Sequence, residues 1–387
     1  MRWIASRSRH ESRYASGLHG SLLCKQVEEQ HESATLKRLA SLDALRGCTV
    51  AAMLLVNDPG DWDHVYWPLD HAMWNGCTPT DLVFPFFLLV VGVSVALAIL
   101  PRLEQGADRT SLMHTALTRA VRIVGLGALI NVLAWWWMPG AHLRFPGVLQ
   151  RIGVCYAGVA LFALYTRPRT QWAAIAVLLL GYWGLLALGG SLEPWTNIVS
   201  RTDTAVFGRF VYLVDPATGR GHDPEGLLGT LPSLATALLG LRTGCWLRAG
   251  KLGALLIGAM LSLLLGALWS LWLPFNKNLW TPSFVLWTAG WAALALLGFH
   301  LLIDRRGWPA WGRRFGVNAI AAYAGSELMQ ILLPGLGQDW LYQHLFGGWM
   351  TPQFGPYIPS LAFAVVFVAV WWLIVLALDR RHIYLKL

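Results

Sequence analysis

The chain predicts an all-α fold, a polytopic membrane helical bundle of about ten transmembrane helices with both termini cytoplasmic. Three observations predict it. Hydrophobic types fill 56% of the 387 positions and charged residues only 13%, against about 25% charged in soluble domains. Apolar runs long enough to cross a bilayer, roughly 20 residues each, recur from residue 39 to the end. Finally, 24 of the 30 lysines and arginines fall in the amino-terminal segment, alternate connections and the carboxyl tail. The shortage of charge excludes an ordinary cytosolic enzyme, and five cysteines make no disulfide framework. The 22 tryptophans suit walls that meet lipid headgroups, where an indole buries its ring and keeps its N–H wet.

The expected spans are 39–56, 81–100, 117–138, 148–165, 172–192, 227–241, 252–273, 284–303, 317–333 and 358–378. The sixth and ninth are the shortest and the most interrupted by Gly and Pro. No alternating ten-residue segments of the β-barrel type occur. Basic residues stay cytoplasmic, so the charge bias places the odd-numbered connections outside. The formal charge of +9 is therefore a topology signal, and no nucleic-acid partner is expected. Residues 1–37 are polar without an apolar core of seven, and are expected to be a disordered cytoplasmic tail ahead of a 38–387 transmembrane domain.

Polar chemistry concentrates in the first outer connection, 57–81. It holds five Asp including Asp81, His64 and His71, Asn57 and Asn75, and three Trp. An acidic loop anchored by Trp in the headgroups accounts for this composition, and so does a reaction centre. For the second reading, Asp81 at the start of a span can cap helix N–H groups and orient an imidazole. His71 lies too far from it in sequence to share a helix turn, but the Asn75-Gly76 and Thr78-Pro79 turns can bring the two together. Embedded polar residues occur elsewhere. Asp43 and Arg46 share a face of the first span, as an ion pair or with Arg46 snorkelling. Arg151 breaks the charge rule near an outer end, which points it into the bundle or toward an acid. Asn318 and Glu327 lie in the ninth span, where such groups face a cavity or a partner. No metal is expected: the histidines and cysteines lack ligand spacing. Neither a phosphate-binding Gly-rich loop nor a serine-hydrolase elbow is present.

Several motifs together resemble the heparan-α-glucosaminide N-acetyltransferase family and its bacterial relatives. They are the run Arg38 to Gly47, Val56-Asn57, His71-Ala72-Met73-Trp74-Asn75-Gly76, Asp81 to Phe87, Pro146 to Gly153, Asp223 to Thr230, Asn276 to Thr281, and Asn318 to Glu327. The resemblance implies an integral membrane acyltransferase that moves the acetyl group of cytosolic acetyl-CoA to a glucosamine-type amine across the membrane. It implies His71 as the active residue, with Asp81, Asn57 and Asn75 supporting it. Arg119, Arg122, Arg242 and Arg313 are the implied holders of the CoA phosphates, with Arg46, Arg151, Asn318 and Glu327 completing the donor-binding candidates. The implied partners are acetyl-CoA, an amino-sugar or glycan acceptor, the lipid bilayer of the inner membrane and a second copy in a homodimer. Two departures stand out: the luminal domain of the animal enzyme has no counterpart in 1–37, and Ser326 stands where that enzyme has His. Heparan specificity is therefore not carried over, and an amino sugar of wall or chitin turnover is the expected acceptor. An amino-sugar transporter and an O-acyltransferase of exported glycan remain as other readings; vesicle uptake without acetyl-CoA marks the first, an ester product the second.

Overall fold

The computed structural model describes residues 39–138 and 140–385. The expected tail, 1–37, lies outside the described residues. The described chain is predominantly helical, with one two-stranded ribbon, Leu213–Val214 paired antiparallel with Gly221–His222. The principal helices in order are α1 (Ala40–Asn57), α2 (Val83–Ala98), α3 (Arg109–Trp137), α4 (Val148–Tyr165), α5 (Pro168–Gly189), the short α6 (Ile198–Phe207), α7 (Thr230–Arg248), α8 (Leu252–Trp269), α9 (Pro282–Phe299), α10 (Ala319–Leu332) and α11 (Tyr357–Arg380). The punctuation is local chemistry. Asp108 caps α3 by accepting from Ser111 N at 2.7 Å, Asn197 caps α6 through Ser200 N, and Pro168 and Pro282 open α5 and α9 where their missing N–H is no loss.

Among the described residues eight helices are long and apolar enough to cross a membrane, where ten spans were expected. The two that fall short correspond to the sixth and ninth. α7 spans 19 residues, Arg242 and Arg248 among them, and α10 has only 14. Both still run from one end of the bundle to the other. Thr230, opening α7, bonds Gly226 at the end that carries His71, while Arg248 pairs with Glu104 at the opposite end. Asn318 bonds the chain at Ile383 before α10, and Gln330 near its far end bonds the carbonyl of Asn57. At about 1.5 Å per residue these are roughly 28 and 21 Å long. Their buried settings remove the need for apolarity: α7 lies against α2, α4, α5 and α9.

The two ends are consistent with the loop-by-loop alternation of charge. The first connection bonds the one before α9, and the connection before α4 bonds the segment after α6. At the other end Ser41 meets Asp304, Arg242 meets Gln171, and Arg314 meets Asp379. Close packing at the centre depends on small residues. A Cβ on Gly92 of α2 would stand 1.9 Å from the Ala237 carbonyl oxygen, and one on Gly240 of α7 would stand 2.1 Å from that of Leu89. The two backbones therefore touch, as small-residue membrane helices do. Outward surfaces are greasy, and exposed tryptophans mark both ends, Trp136 and Trp272 at the His71 end and Trp311 at the other. The molecule is a helical membrane bundle.

Candidate active site

The connection from α1 to α2 folds back on itself through Asp81. Its carboxylate is 1% exposed and is held by its own loop. Oδ2 accepts from Thr78 N at 3.0 Å and Ala72 N at 3.2 Å, and lies 3.1 Å from the Thr78 hydroxyl. Oδ1 is left for the ring of His71, whose Nδ1 lies 2.7 Å away. Ten residues of separation are bridged because Gly76, at φ 131°, lets the Asn75-Gly76 turn reverse the chain. Gly76 N then bonds the carbonyl of Phe275 at 2.7 Å, Asn276 Nδ2 donates to Asn75 Oδ1 at 3.1 Å, and Trp74 Nε1 donates to the carbonyl of Leu192 at 2.9 Å. The His71 loop is thus pinned on two sides by other connections. His71 keeps 42% of its side chain exposed, so a substrate can reach it.

The connection before α9 brings a residue that spacing did not single out. Lys277 Nζ lies 3.1 Å from Nδ1 and 3.0 Å from Nε2 of His71, and 4.0 Å from Asp81 Oδ1. Burial pushes this ammonium below its usual lysine range, while Asp81, Glu225 and the Cys77 thiol pull it back up. Burial also pushes the Cys77 thiol up to about 12. Two advance signals exist for Lys277: it is a lysine on the side expected to be poor in positive charge, and it lies within the Asn276 to Thr281 motif.

A second polar layer lies beside this one. Arg144 holds Asp223 with two bonds, Nε to Oδ2 at 2.8 Å and Nη2 to Oδ1 at 2.6 Å, and reaches Glu225 at 2.5 Å. Burial would raise the Glu225 carboxyl, but Arg144, Arg151 and Lys277 together hold it below its usual value. Arg151 is 2% exposed, and points into the bundle as its sequence context suggested. Its Nη2 donates to the Gly226 carbonyl at 3.0 Å and its guanidinium stacks over Trp280, 5.3 Å from the ring centre. Trp280 itself is held at φ 52°, unusual for a bulky residue, with its indole bonded to Thr236. Nε and Nη1 of Arg151 have no hydrogen-bond partner among the described residues.

The other candidates are distributed. Asn75 is bonded to Asn276, and the carbonyl of Asn57 accepts from Gln330 at 3.3 Å. Neither bond reaches His71. Asp58, next to Asn57, is buried beside Gln330 and Glu327, and burial pushes its carboxyl up to about 8. Glu327 is bonded to Tyr323. At the opposite end, Arg46 bonds Asp43, Ser94 and the carbonyl of Gly316; Arg119 lies over Tyr156; Arg242 bonds Gln171 and lies over Trp172. Arg122 and Arg313 are exposed. The bonds described do not gather these arginines into one cluster. Asn318 is engaged on both amide atoms by the carboxyl-terminal segment, at Ile383 and Leu385. Among the described residues no group of three His, Cys, Asp or Glu is placed to hold a metal ion.

Residues 38–207 match the family model described as heparan-alpha-glucosaminide N-acetyltransferase, catalytic. The chain is 28% identical over 425 aligned positions to the heparan-alpha-glucosaminide N-acetyltransferase of Homo sapiens, covering 92% of this chain and 61% of the human protein. It is 27% identical over 431 positions to the protein of the same name from Mus musculus, covering 94% and 62%. The chain therefore spans about three fifths of the length of the curated relatives it matches.

Proposed function

We propose that this chain, similar along its length to the heparan-alpha-glucosaminide N-acetyltransferases, is a membrane acetyltransferase that moves the acetyl group of acetyl-CoA to the amine of a glucosamine-type sugar. Both similarity and charge asymmetry support a donor arriving from the cytoplasmic side and an acceptor on the other side of the inner membrane. The observation that carries the chemistry is the 2.7 Å contact of His71 Nδ1 with Asp81 Oδ1. Asp81 Oδ2 is occupied by donors, so Oδ1 accepts the Nδ1 proton and leaves Nε2 of the neutral ring with its lone pair.

Acetyl transfer needs a deprotonated amine, an aligned thioester and donors for the oxygen that gains charge. In direct transfer the amine nitrogen attacks the thioester carbon and its proton passes to His71 Nε2. In the covalent route Nε2 attacks first and the acetyl group rests on the ring. Acetyl-CoA:CoA exchange without acceptor marks the covalent route, and its absence marks direct transfer. The arginines Arg46, Arg119, Arg122, Arg242 and Arg313 are the proposed contacts of the nucleotide end of the donor, since phosphates attract guanidinium groups. Arg151 and Glu327 belong by position to the His71 half of the bundle, nearer the acetyl end.

The test is direct. Purified protein with labelled acetyl-CoA and glucosamine is expected to form N-acetylglucosamine, and His71→Ala to form none above background. Wild-type protein that makes no labelled amide with any amino sugar, or makes an ester instead, overturns the reading.

A further inference from the structure

Lys277 lies inside the Asn276 to Thr281 motif but is given no role by the sequence reading, yet its ammonium touches both nitrogens of the His71 ring at nearly equal distance, 3.1 and 3.0 Å. That equality fixes where it sits. A donor lying in the ring plane on the Nε2 lone pair would be far from Nδ1. The in-plane position between the two nitrogens is filled by the Cε1–H. The ammonium therefore stands over the ring face, and the Nε2 lone pair in the plane stays open.

We propose that Lys277 is a further catalytic residue of the acetyl transfer, its ammonium donating to the acetyl oxygen as that oxygen becomes an anion. This rests on the acetyltransferase reading. A carbonyl carbon approaching the open Nε2 lone pair can turn its oxygen toward the ring face where the ammonium stands, about 3 Å from Nε2. The step balances. The neutral amine nitrogen forms a bond to the thioester carbon, the carbonyl electron pair moves to oxygen, and the amine proton moves to His71 Nε2. The pair then returns from oxygen, the carbon–sulfur bond breaks, and His71 returns the proton to sulfur, giving amide and CoA thiol. Lys277 carries no proton away; it holds the charge on oxygen in a site 19% exposed, where a cation counts for more than in water.

Charged and titratable groups facing this ammonium are His71 and Cys77 from the first connection, Asp81 at the start of the second span, and Glu225 before α7. Asp81 and Glu225 keep the ammonium charged and burial opposes them, with the net effect downward. Since the donor must be protonated, the rate falls as pH rises through a value below the ordinary lysine range.

The experiment measures kcat, KM for acetyl-CoA and the pH profile for wild type, Lys277→Met and Lys277→Arg. Loss of one oxyanion donor predicts kcat down by about 10²–10³ in Lys277→Met with KM little changed. In Lys277→Arg, whose cation persists at all working pH, the alkaline fall moves upward by more than one pH unit. A Lys277→Met kcat within tenfold of wild type, or a loss confined to KM, overturns the assignment. If Lys277→Met does not fold, an unmoved alkaline limb in Lys277→Arg overturns it instead. Absence of transfer by wild type is a different result, because it removes the acetyltransferase reading itself.

Discussion

Asp81→Asn is the sharpest perturbation of the proposed centre, since it changes one atom and keeps the shape. Two backbone donors converge on Asp81 Oδ2, Thr78 N and Ala72 N, while the Thr78 hydroxyl beside it donates to the Asp70 carbonyl at 2.7 Å. An amide nitrogen in that place would leave two backbone N–H groups facing a donor, at about 1–3 kcal/mol each. The asparagine therefore turns its oxygen to Thr78 and Ala72, and its NH2 to His71. Nδ1 must then accept, the ring proton moves to Nε2, and the lone pair the reaction needs is gone. A wrong tautomer of this kind lowers kcat about 10⁴-fold, or about 5.5 kcal/mol at the transition state. The assay is labelled acetyl transfer to glucosamine, with thermal unfolding in detergent to verify that the variant is folded. A folded Asp81→Asn protein within tenfold of wild type would refute the reasoning.

Further predictions concern stability and placement. Asp58 is raised from the ordinary 3.8 to about 8 by burial, with Gln330 opposing and Glu327 adding to the rise. Its favourable contribution is full below 3.8 and lost as pH climbs through about 8, so Asp58→Asn should flatten the decline of Tm across that window; an unchanged decline contradicts the assignment. Arg144→Met strands buried Asp223 and Glu225 without their shared cation, and thermal unfolding should show a loss of about 3–5 kcal/mol. A cysteine at Met73, which is 99% exposed, should react with an impermeant maleimide added to intact cells, while one at Trp311, at the opposite end, should react only after permeabilisation. Native Cys77 should react slowly, its thiol being held up near 12. Labelling in the reverse order would invert the topology.

Much of the architecture was legible because lipid imposes long apolar runs, and because arginine and lysine alternate between connections. The two helices that fall short of the crossing criteria, α7 and α10, correspond to the spans read as shortest and most interrupted by Gly and Pro; the structure adds the reason, that a helix surrounded by protein can keep Arg242 or Glu327 and needs no uniform apolarity. The meeting of His71 and Asp81 was expressible from Asn75-Gly76 and Thr78-Pro79, since turns of that kind reverse a chain within a few residues. Lys277 was not expressible, because it arrives from 206 residues away and no periodicity links it to His71. The Arg144 clamp on Asp223 and Glu225 is equally non-local. Asn318 shows the converse: a polar residue in an apolar segment reads as a ligand contact, but its amide is engaged by the tail at Ile383 and Leu385.

The central claim is that an acetyl group passes at His71 from a donor on one side of the membrane to an amine on the other, whether the ring carries the acetyl group or only the proton. Proteoliposomes loaded with labelled acetyl-CoA and bathed in glucosamine test it in one measurement. Labelled N-acetylglucosamine should accumulate in the outer medium with wild-type protein, and stay at background with His71→Ala. Equal accumulation with both proteins, or none with either while the wild type remains folded, would contradict the account.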